Sequence, residues 1–324
     1  MVRVLIVLLF GLVGSTQAEE ASQTLKAHDS FQPWKDENPD AQQLLDHIAW
    51  PAADFEVKWE PVTDRDYQRL VRFPTPFPSG DEKNDSVSME WYIPSAPARP
   101  EPLPTIVVIH ESGSAMPAGK AIARGIQQRG LNAILLHLPY YGERRGSRKR
   151  DAGEFLITMR QGVADTRRAF DAVSVLPGVD RRKISIQGTS LGGFVTTSAA
   201  SLDACYHQTF IMLAGGDLYD MFMNGKQDTA KIRYQLAKAG YEGDKLKDLL
   251  DQVEPTRIAH RLPKDRTWVY AALQDDVVPI RNARRLAEVI GLDTKHRLEF
   301  VGGHYTAALW LPVVIDHFTK TAIQ

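Results

Sequence analysis

Gly188-Thr189-Ser190-Leu191-Gly192-Gly193 stands between two segments of opposite character. Before it, Lys183-Ile184-Ser185-Ile186-Gln187 is a β-branched run that reads as a short strand; after it, Phe194 to Leu202 is rich in small residues and reads as a helix. A G-x-S-x-G pattern alone is weak, because so few fixed positions recur by chance. Set at a strand-to-helix turn, it describes a nucleophile elbow. Gly188 and Gly192 lack a Cβ, so the chain can reverse within a few residues and leave Ser190 at the tip in a strained conformation. The hydroxyl is then lifted above the sheet edge. The N–H of Leu191, at the mouth of the following helix, is placed to meet a developing oxyanion. The competing reading is a Gly/Ser-rich turn that only packs a helix on a sheet, and the rest of the chain has to decide.

Around this turn the chain alternates. Thr105-Ile106-Val107-Val108-Ile109 is a continuous apolar run, as expected of a strand buried on both faces. It is followed by a predicted helix over Pro117 to Gln128, a strand over Ala133 to Leu138 and a long helix over Glu154 to Leu176. Beyond the elbow come strands over Thr209 to Leu213, Thr267 to Ala272 and Arg297 to Phe300, with helices over Arg281 to Ile290 and Thr306 to Thr321. Such alternation predicts an α/β architecture, a mostly parallel sheet covered by helices. Tyr67 to Phe73 and Ser86 to Ile93 alternate apolar and polar residues and read as two antiparallel edge strands. Between Leu213 and Thr267 the rhythm breaks for helical patterns over Thr229 to Ala239 and Asp244 to Val253. An insertion after a strand's C-terminal end predicts a small helical cap, at about 216–264, over the site edge of the sheet. Tyr219, Met221, Phe222 and Met223 read mainly as packing for that cap, with an acyl-pocket lining as the alternative.

The N-terminus is a different material. Arg3 precedes the apolar run Val4 to Val13, and Gly14-Ser15-Thr16-Gln17-Ala18 supplies small residues, which predicts a signal peptide over residues 1–18. The apolar run is too short to span a bilayer, which needs about twenty residues. Cleavage after Ala18 and export follow, to the periplasm or the medium, with no stable membrane insertion of the mature chain. Residues 19–64, with Trp34, Trp50 and Trp59 among several prolines, read as an N-terminal arm that packs over the body, with a short helix over Ala41 to Ile48. The main domain is expected over residues 65–324. The 324-residue chain has 39 basic and 40 acidic side chains, so nothing in its charge points to nucleic acid. Cys205 is the only cysteine, so no intramolecular disulfide can form. No His/Cys/carboxylate cluster has metal-ligand spacing, and neither a metal nor another cofactor is expected.

A serine nucleophile needs a histidine base, and the histidine needs a carboxylate to fix its tautomer. Of nine histidines, His304 in Val301-Gly302-Gly303-His304 follows the last strand on a Gly-Gly loop from which an imidazole reaches over the sheet edge. His137, at a strand end, is an outside candidate. Asp275-Asp276-Val277-Val278-Pro279 follows the strand Thr267 to Ala272, so its carboxylates lie at the same edge. The first acid of D-x-x-V-P is the usual choice, so Asp275 is favoured over Asp276. A second oxyanion donor is expected from the turn after Ile109, where the N–H of Ser112 is the candidate beside that of Leu191. His110 reads as a brace for this loop, and Glu111 as a buried charge or a substrate contact. Tyr140, Tyr141 and Arg144, leading into Arg148-Lys149-Arg150, are candidate substrate contacts; the competing reading pairs Arg144 with a buried acid.

From about Tyr67 to the C-terminus the chain resembles the α/β-hydrolase superfamily. The resemblance rests on His110-Glu111, Val179-Asp180 before the elbow strand, Gly188 to Gly193, Asp275 to Pro279 and Gly303-His304. The order Ser190, Asp275, His304 is the order of that fold. The His-Glu pair is similar to the oxyanion loop of the dienelactone-hydrolase-like and acetyl-xylan-esterase-like branches. The resemblance implies an eight-stranded, mostly parallel sheet and hydrolysis through a covalent acyl-enzyme, and the expected export suggests a small-molecule ester met outside the cytoplasm, such as an acylated carbohydrate. Serine at the elbow argues against haloalkane dehalogenases, which use Asp, and against dienelactone hydrolase itself, which uses Cys. Two other readings stay open: a prolyl-oligopeptidase-like peptidase, although about a hundred residues before the hydrolase region are too few for a propeller, and a non-catalytic binding protein on a hydrolase scaffold.

Overall fold

The computed structural model describes residues 21–32, 34–146 and 152–324. The signal peptide expected over residues 1–18 and Arg148-Lys149-Arg150 lie outside the described residues. One ten-stranded sheet runs in the order β1-β2-β3-β4-β6-β5-β7-β8-β9-β10. Strands β5 (Leu103–Ile109), β6 (Asn132–Leu136), β7 (Val179–Thr189), β8 (Thr209–Met212), β9 (Thr267–Ala272) and β10 (Arg297–Phe300) are parallel. Strands β1 (Gln23–His28), β2 (Asp54–Pro61), β3 (Arg69–Pro74) and β4 (Ser86–Tyr92) extend the sheet antiparallel, with β4 against β6.

The count is ten strands rather than the eight implied by resemblance, and β3 and β4 are interior rather than edge strands. Strand β4 is interior because it lies between β3 and β6, while the two extra strands and the interior place of β3 come from the arm. In β2, Phe55, Val57 and Trp59 are buried while Asp54, Glu56, Lys58 and Glu60 are exposed, so the arm carries a period-2 stripe that needs a sheet beside it. It finds one by pairing with β3. The arm is further held by the buried ion pair Asp29–Arg168 at 2.7 Å and by Trp50 stacked on Phe31 at 3.9 Å.

Helices cover both faces because the central strands are apolar on both. In β5, Val107 and Ile109 enter the core shared with α1 (Pro39–Ile48), α4 (Phe155–Ser174), α5 (Leu191–Ser201) and α9 (Ile280–Ile290). Ile106 and Val108 enter the core shared with α3 (Pro117–Gln128) and α10 (Leu311–Ala322). A one-turn helix, α2 (Glu82–Asp85), links β3 to β4. The cap consists of α6 (Leu218–Asn224), α7 (Gln227–Lys238) and α8 (Gly243–Asp251). Helix α6 adds to the two expected from periodicity; Met221 and Phe222 are buried beneath it, whereas Met223 is exposed.

Candidate active site

The elbow owes its shape to close approach. A Cβ on Gly188 would lie 2.2 Å from the carbonyl oxygen of Gly192, and a Cβ on Gly192 would lie 2.2 Å from that of Ile109. Neither glycine has positive φ; the left-handed backbone falls on Ser190 itself, at φ 52° and ψ −116°. A serine pays a conformational penalty there, and the surrounding packing holds it. The Ser190 N–H donates to the Met212 carbonyl at 2.9 Å, so β8 pins the tip from beneath.

Three loops at the C-terminal ends of β7, β9 and β10 bring three side chains together. His304 Nε2 lies 3.0 Å from Ser190 Oγ, and His304 Nδ1 lies 2.7 Å from Asp275 Oδ2. The other oxygen of Asp275 accepts the N–H groups of Val277 and Val278 at 2.9 and 2.8 Å, which leaves Oδ2 aimed at the imidazole. Ser190 and Asp275 are buried, and the side chains of His304 and Asp275 expose only 8% and 2%. Asp276 turns outward, where its carboxylate accepts from Gln227 Nε2 at 3.1 Å. His137 is fully enclosed: Nε2 meets Glu90 Oε1 at 3.2 Å and Nδ1 accepts the Glu143 N–H at 3.1 Å.

Leu191 is the first residue of α5, and Ser112 follows the end of β5. In the β5–β7 register Ile109 pairs with Gly188, so the segments that leave these strands start side by side. His110 cross-links the first of them. Its Nε2 accepts the Leu138 N–H at 3.1 Å, which places the ring proton on Nδ1, donating to the Glu111 carbonyl at 2.5 Å. Burial pushes the imidazole down to about 3, so it stays neutral. Tyr141 packs its ring 4.7 Å from that of His110 and donates its hydroxyl to the Ser112 carbonyl at 3.1 Å.

The other expected substrate contacts lie differently. Arg144 is 0% exposed; it pairs with Asp165 at 2.8 Å and donates to the carbonyls of Asn84 and His137, so it faces no substrate. Both carboxylate oxygens of Glu111 accept N–H groups of Ala118 and Gly119 at 2.9 and 3.0 Å, an N-terminal cap for α3 that the helix's own preceding residue, Met116, does not supply. Tyr140, at φ 66°, donates its N–H to Asn84 Oδ1 at 2.9 Å and keeps its side chain partly exposed. A cavity of about 530 Å³ between α1 and α8, walled by Leu44, His47, Arg160 and Asp248, is not lined by Ser190, Asp275 or His304.

Two contacts were not legible in the sequence. The Tyr305 hydroxyl donates to Asp228 Oδ2 of the cap at 2.8 Å, and the Tyr305 ring stands edge-on to the His304 imidazole at 5.5 Å. Among the described residues no group of three or more His, Cys, Asp or Glu side chains is arranged to hold a metal ion.

No family model and no curated protein matches this chain. Solved structures do. The acetyl xylan esterase from Paenibacillus sp. R4 superposes with a TM-score of 0.62 at 16% identity, covering 89% of this chain and 98% of that one. Acetyl xylan esterase 1 from Thermoanaerobacterium sp. JW/SL YS485 gives 0.58 at 12% identity, over 88% and 96%. A Mycobacterium tuberculosis puromycin-hydrolyzing peptidase gives 0.57 at 17% identity, over 84% of this chain and 44% of its own. With the sheet order and crossovers above, this likeness shows that the chain has the α/β-hydrolase fold.

Proposed function

We propose that this chain is an exported serine hydrolase that cleaves small carboxylic esters through an acyl-enzyme. One observation carries the reading: the continuous hydrogen-bonded path from Ser190 Oγ through His304 to Asp275 on an α/β-hydrolase scaffold. His304 Nε2 takes the Ser190 proton as Oγ attacks the ester carbonyl, while Nδ1–H donates to Asp275, whose charge stabilises the imidazolium. The carbonyl oxygen becomes an oxyanion facing the N–H groups of Ser112 and Leu191, at the mouth of α5. Collapse of the tetrahedral intermediate expels the alcohol, which takes the proton from His304. Water then attacks the acyl-serine by the same relay and releases the acid.

The two acetyl xylan esterase neighbours make short acyl groups on carbohydrate the first substrates to test. Export rests on the sequence of residues 1–18. Cleavage after Ala18 leaves β1, which starts at Gln23, intact, and no helix among the described residues is long and apolar enough to cross a membrane. The puromycin-hydrolyzing neighbour favours a second reading, amide cleavage at an aminoacyl group by the same relay.

The test is hydrolysis of p-nitrophenyl acetate, butyrate and octanoate, acetylated xylan, and aminoacyl p-nitroanilides by the mature protein and by Ser190→Ala. Turnover of the esters that falls by several orders of magnitude in Ser190→Ala supports the reading. Preferential anilide turnover moves the assignment to the peptidase. A wild-type protein that turns over nothing and does not react with a fluorophosphonate leaves a binding role.

A further inference from the structure

We infer that Asp228 and Tyr305 are a positioning pair for His304, through which the cap sets the geometry of the site; this rests on the reading of Ser190, His304 and Asp275 as a catalytic triad. The cap enters α7 across both loops that carry the triad's base and acid. The Lys226 N–H donates to the Asp276 carbonyl at 2.7 Å, Gln227 Nε2 to the Asp276 carboxylate at 3.1 Å, and Thr229 Oγ1 to the Val277 carbonyl at 2.9 Å. Between Gln227 and Thr229, Asp228 accepts the Tyr305 hydroxyl. Residues 226–229 therefore clamp the neighbours of Asp275 from one side and the neighbour of His304 from the other.

The histidine loop needs such a clamp. It follows a four-residue edge strand, and Gly302 stands at φ 129°, a conformation that favours glycine. Its backbone is tied to the acid loop by the Gln274 N–H, which donates to the Gly302 carbonyl at 2.9 Å, and within itself by the Gly303 N–H, which donates to Thr306 Oγ1 at 2.8 Å. Those fix the entrance to the loop. The imidazole is directed by its hydrogen bonds to Asp275 and Ser190 together with the Tyr305 ring, which packs edge-on against it while the tyrosine hydroxyl is tethered to the cap. Tyr305 is 53% exposed, so it is tethered more than packed.

The tether is also charged. Lys231 donates to Asp228 Oδ1 at 2.9 Å, and this bond and the one from Tyr305 hold the Asp228 carboxyl below its usual range. The carboxylates facing Tyr305 are Asp228 from the cap and Asp275 and Asp276 from the acid loop, and Lys231 faces Asp228 from α7. Asp228 thus adds a negative charge from the cap near the imidazolium that forms during turnover.

The experiment compares Tyr305→Phe, Asp228→Asn and the double variant, all conservative changes at partly exposed positions, for folding, p-nitrophenyl acetate kinetics across pH and His304 ring titration by NMR. Each single change is expected to lower kcat roughly three- to tenfold with KM nearly unchanged, and the double variant to fall no further than the worse single. Asp228→Asn moves the acid limb of kcat/KM and the His304 titration to lower pH, because a stabilising charge is lost; Tyr305→Phe moves them less. Additive losses, or variants that keep wild-type kcat and an unmoved acid limb, overturn the pair. If the wild type neither hydrolyses ester nor labels with fluorophosphonate, the hydrolase reading fails instead. The NMR comparison then still decides the pair, since an unmoved His304 titration in Asp228→Asn refutes it.

Discussion

His304 Nδ1 meets Asp275 Oδ2 at 2.7 Å across the gap between the loops that follow β10 and β9, whereas the carboxylate of the adjacent Asp276 turns to the cap and accepts from Gln227. The two acids are therefore separable by mutation. Asp275→Asn keeps the shape but offers the imidazole the wrong hydrogen-bonding partner, and kcat for p-nitrophenyl acetate is expected to fall by about 10⁴, with the tautomer lost as the cause. Asp276→Asn keeps an acceptor for Gln227 and is expected to leave kcat close to wild type. Equal losses in the two variants would contradict the assignment.

Gly192 is a steric requirement rather than a hinge. A methyl group there meets the Ile109 carbonyl oxygen at 2.2 Å, a backbone atom at the heart of the sheet that has no room to retreat. Gly192→Ala is expected to lose about 1–3 kcal/mol or more of stability from overpacking and to part the segments holding Ser112 and Leu191. Urea unfolding and fluorophosphonate labelling rate report the two effects separately.

Arg144 and Asp165 form an ion pair with both side chains 0% exposed. Replacing Arg144 by Met leaves a buried carboxylate without its counter-charge, and the expected cost is about 3–5 kcal/mol. The double change Arg144→Met with Asp165→Leu is expected to recover much of it. Since neither residue touches the Ser190 path, the folded fraction of each variant should retain wild-type turnover per site.

His110 links stability to pH. Its folded value is pushed down to about 3 from 6.5 by burial, so between these limits the unfolded chain binds a proton that the folded chain does not. Stability from this group is therefore complete above about 6.5 and falls as the solution is acidified, by at most about 1.4 kcal/mol per pH unit until about 3. His207 and His317 are lowered in the same direction by partial burial, so the whole-protein slope is shared. Denaturant titrations at several pH values should show a shallower slope in His110→Gln than in wild type.

Much of this molecule is local, and local features are legible. The helix expected over Pro117 to Gln128 and the strands over Thr267 to Ala272 and Arg297 to Phe300 have those same ends in the structure, because apolar periodicity and Pro or Gly punctuation mark them. The strand-turn-helix about Ser190 was legible for the same reason. The arm misled because Pro51 stands just before β2 and Pro61 ends it, so the segment reads as a packing arm, although Phe55, Val57 and Trp59 already alternate. Helix α6, seven residues long, is too short to show a period.

The sequence by itself determined the α/β order of elements, the elbow, and the three residues whose chain order suits the relay, since each depends on residue types within a few positions of one another. Only the tertiary structure decided which carboxylate faces His304, that Arg144 is walled in against Asp165, and that Tyr305 is tied to Asp228, 77 positions earlier in the chain. These are contacts between segments brought together by strand order and register, and register is set by packing across the whole sheet rather than by any one stretch of it.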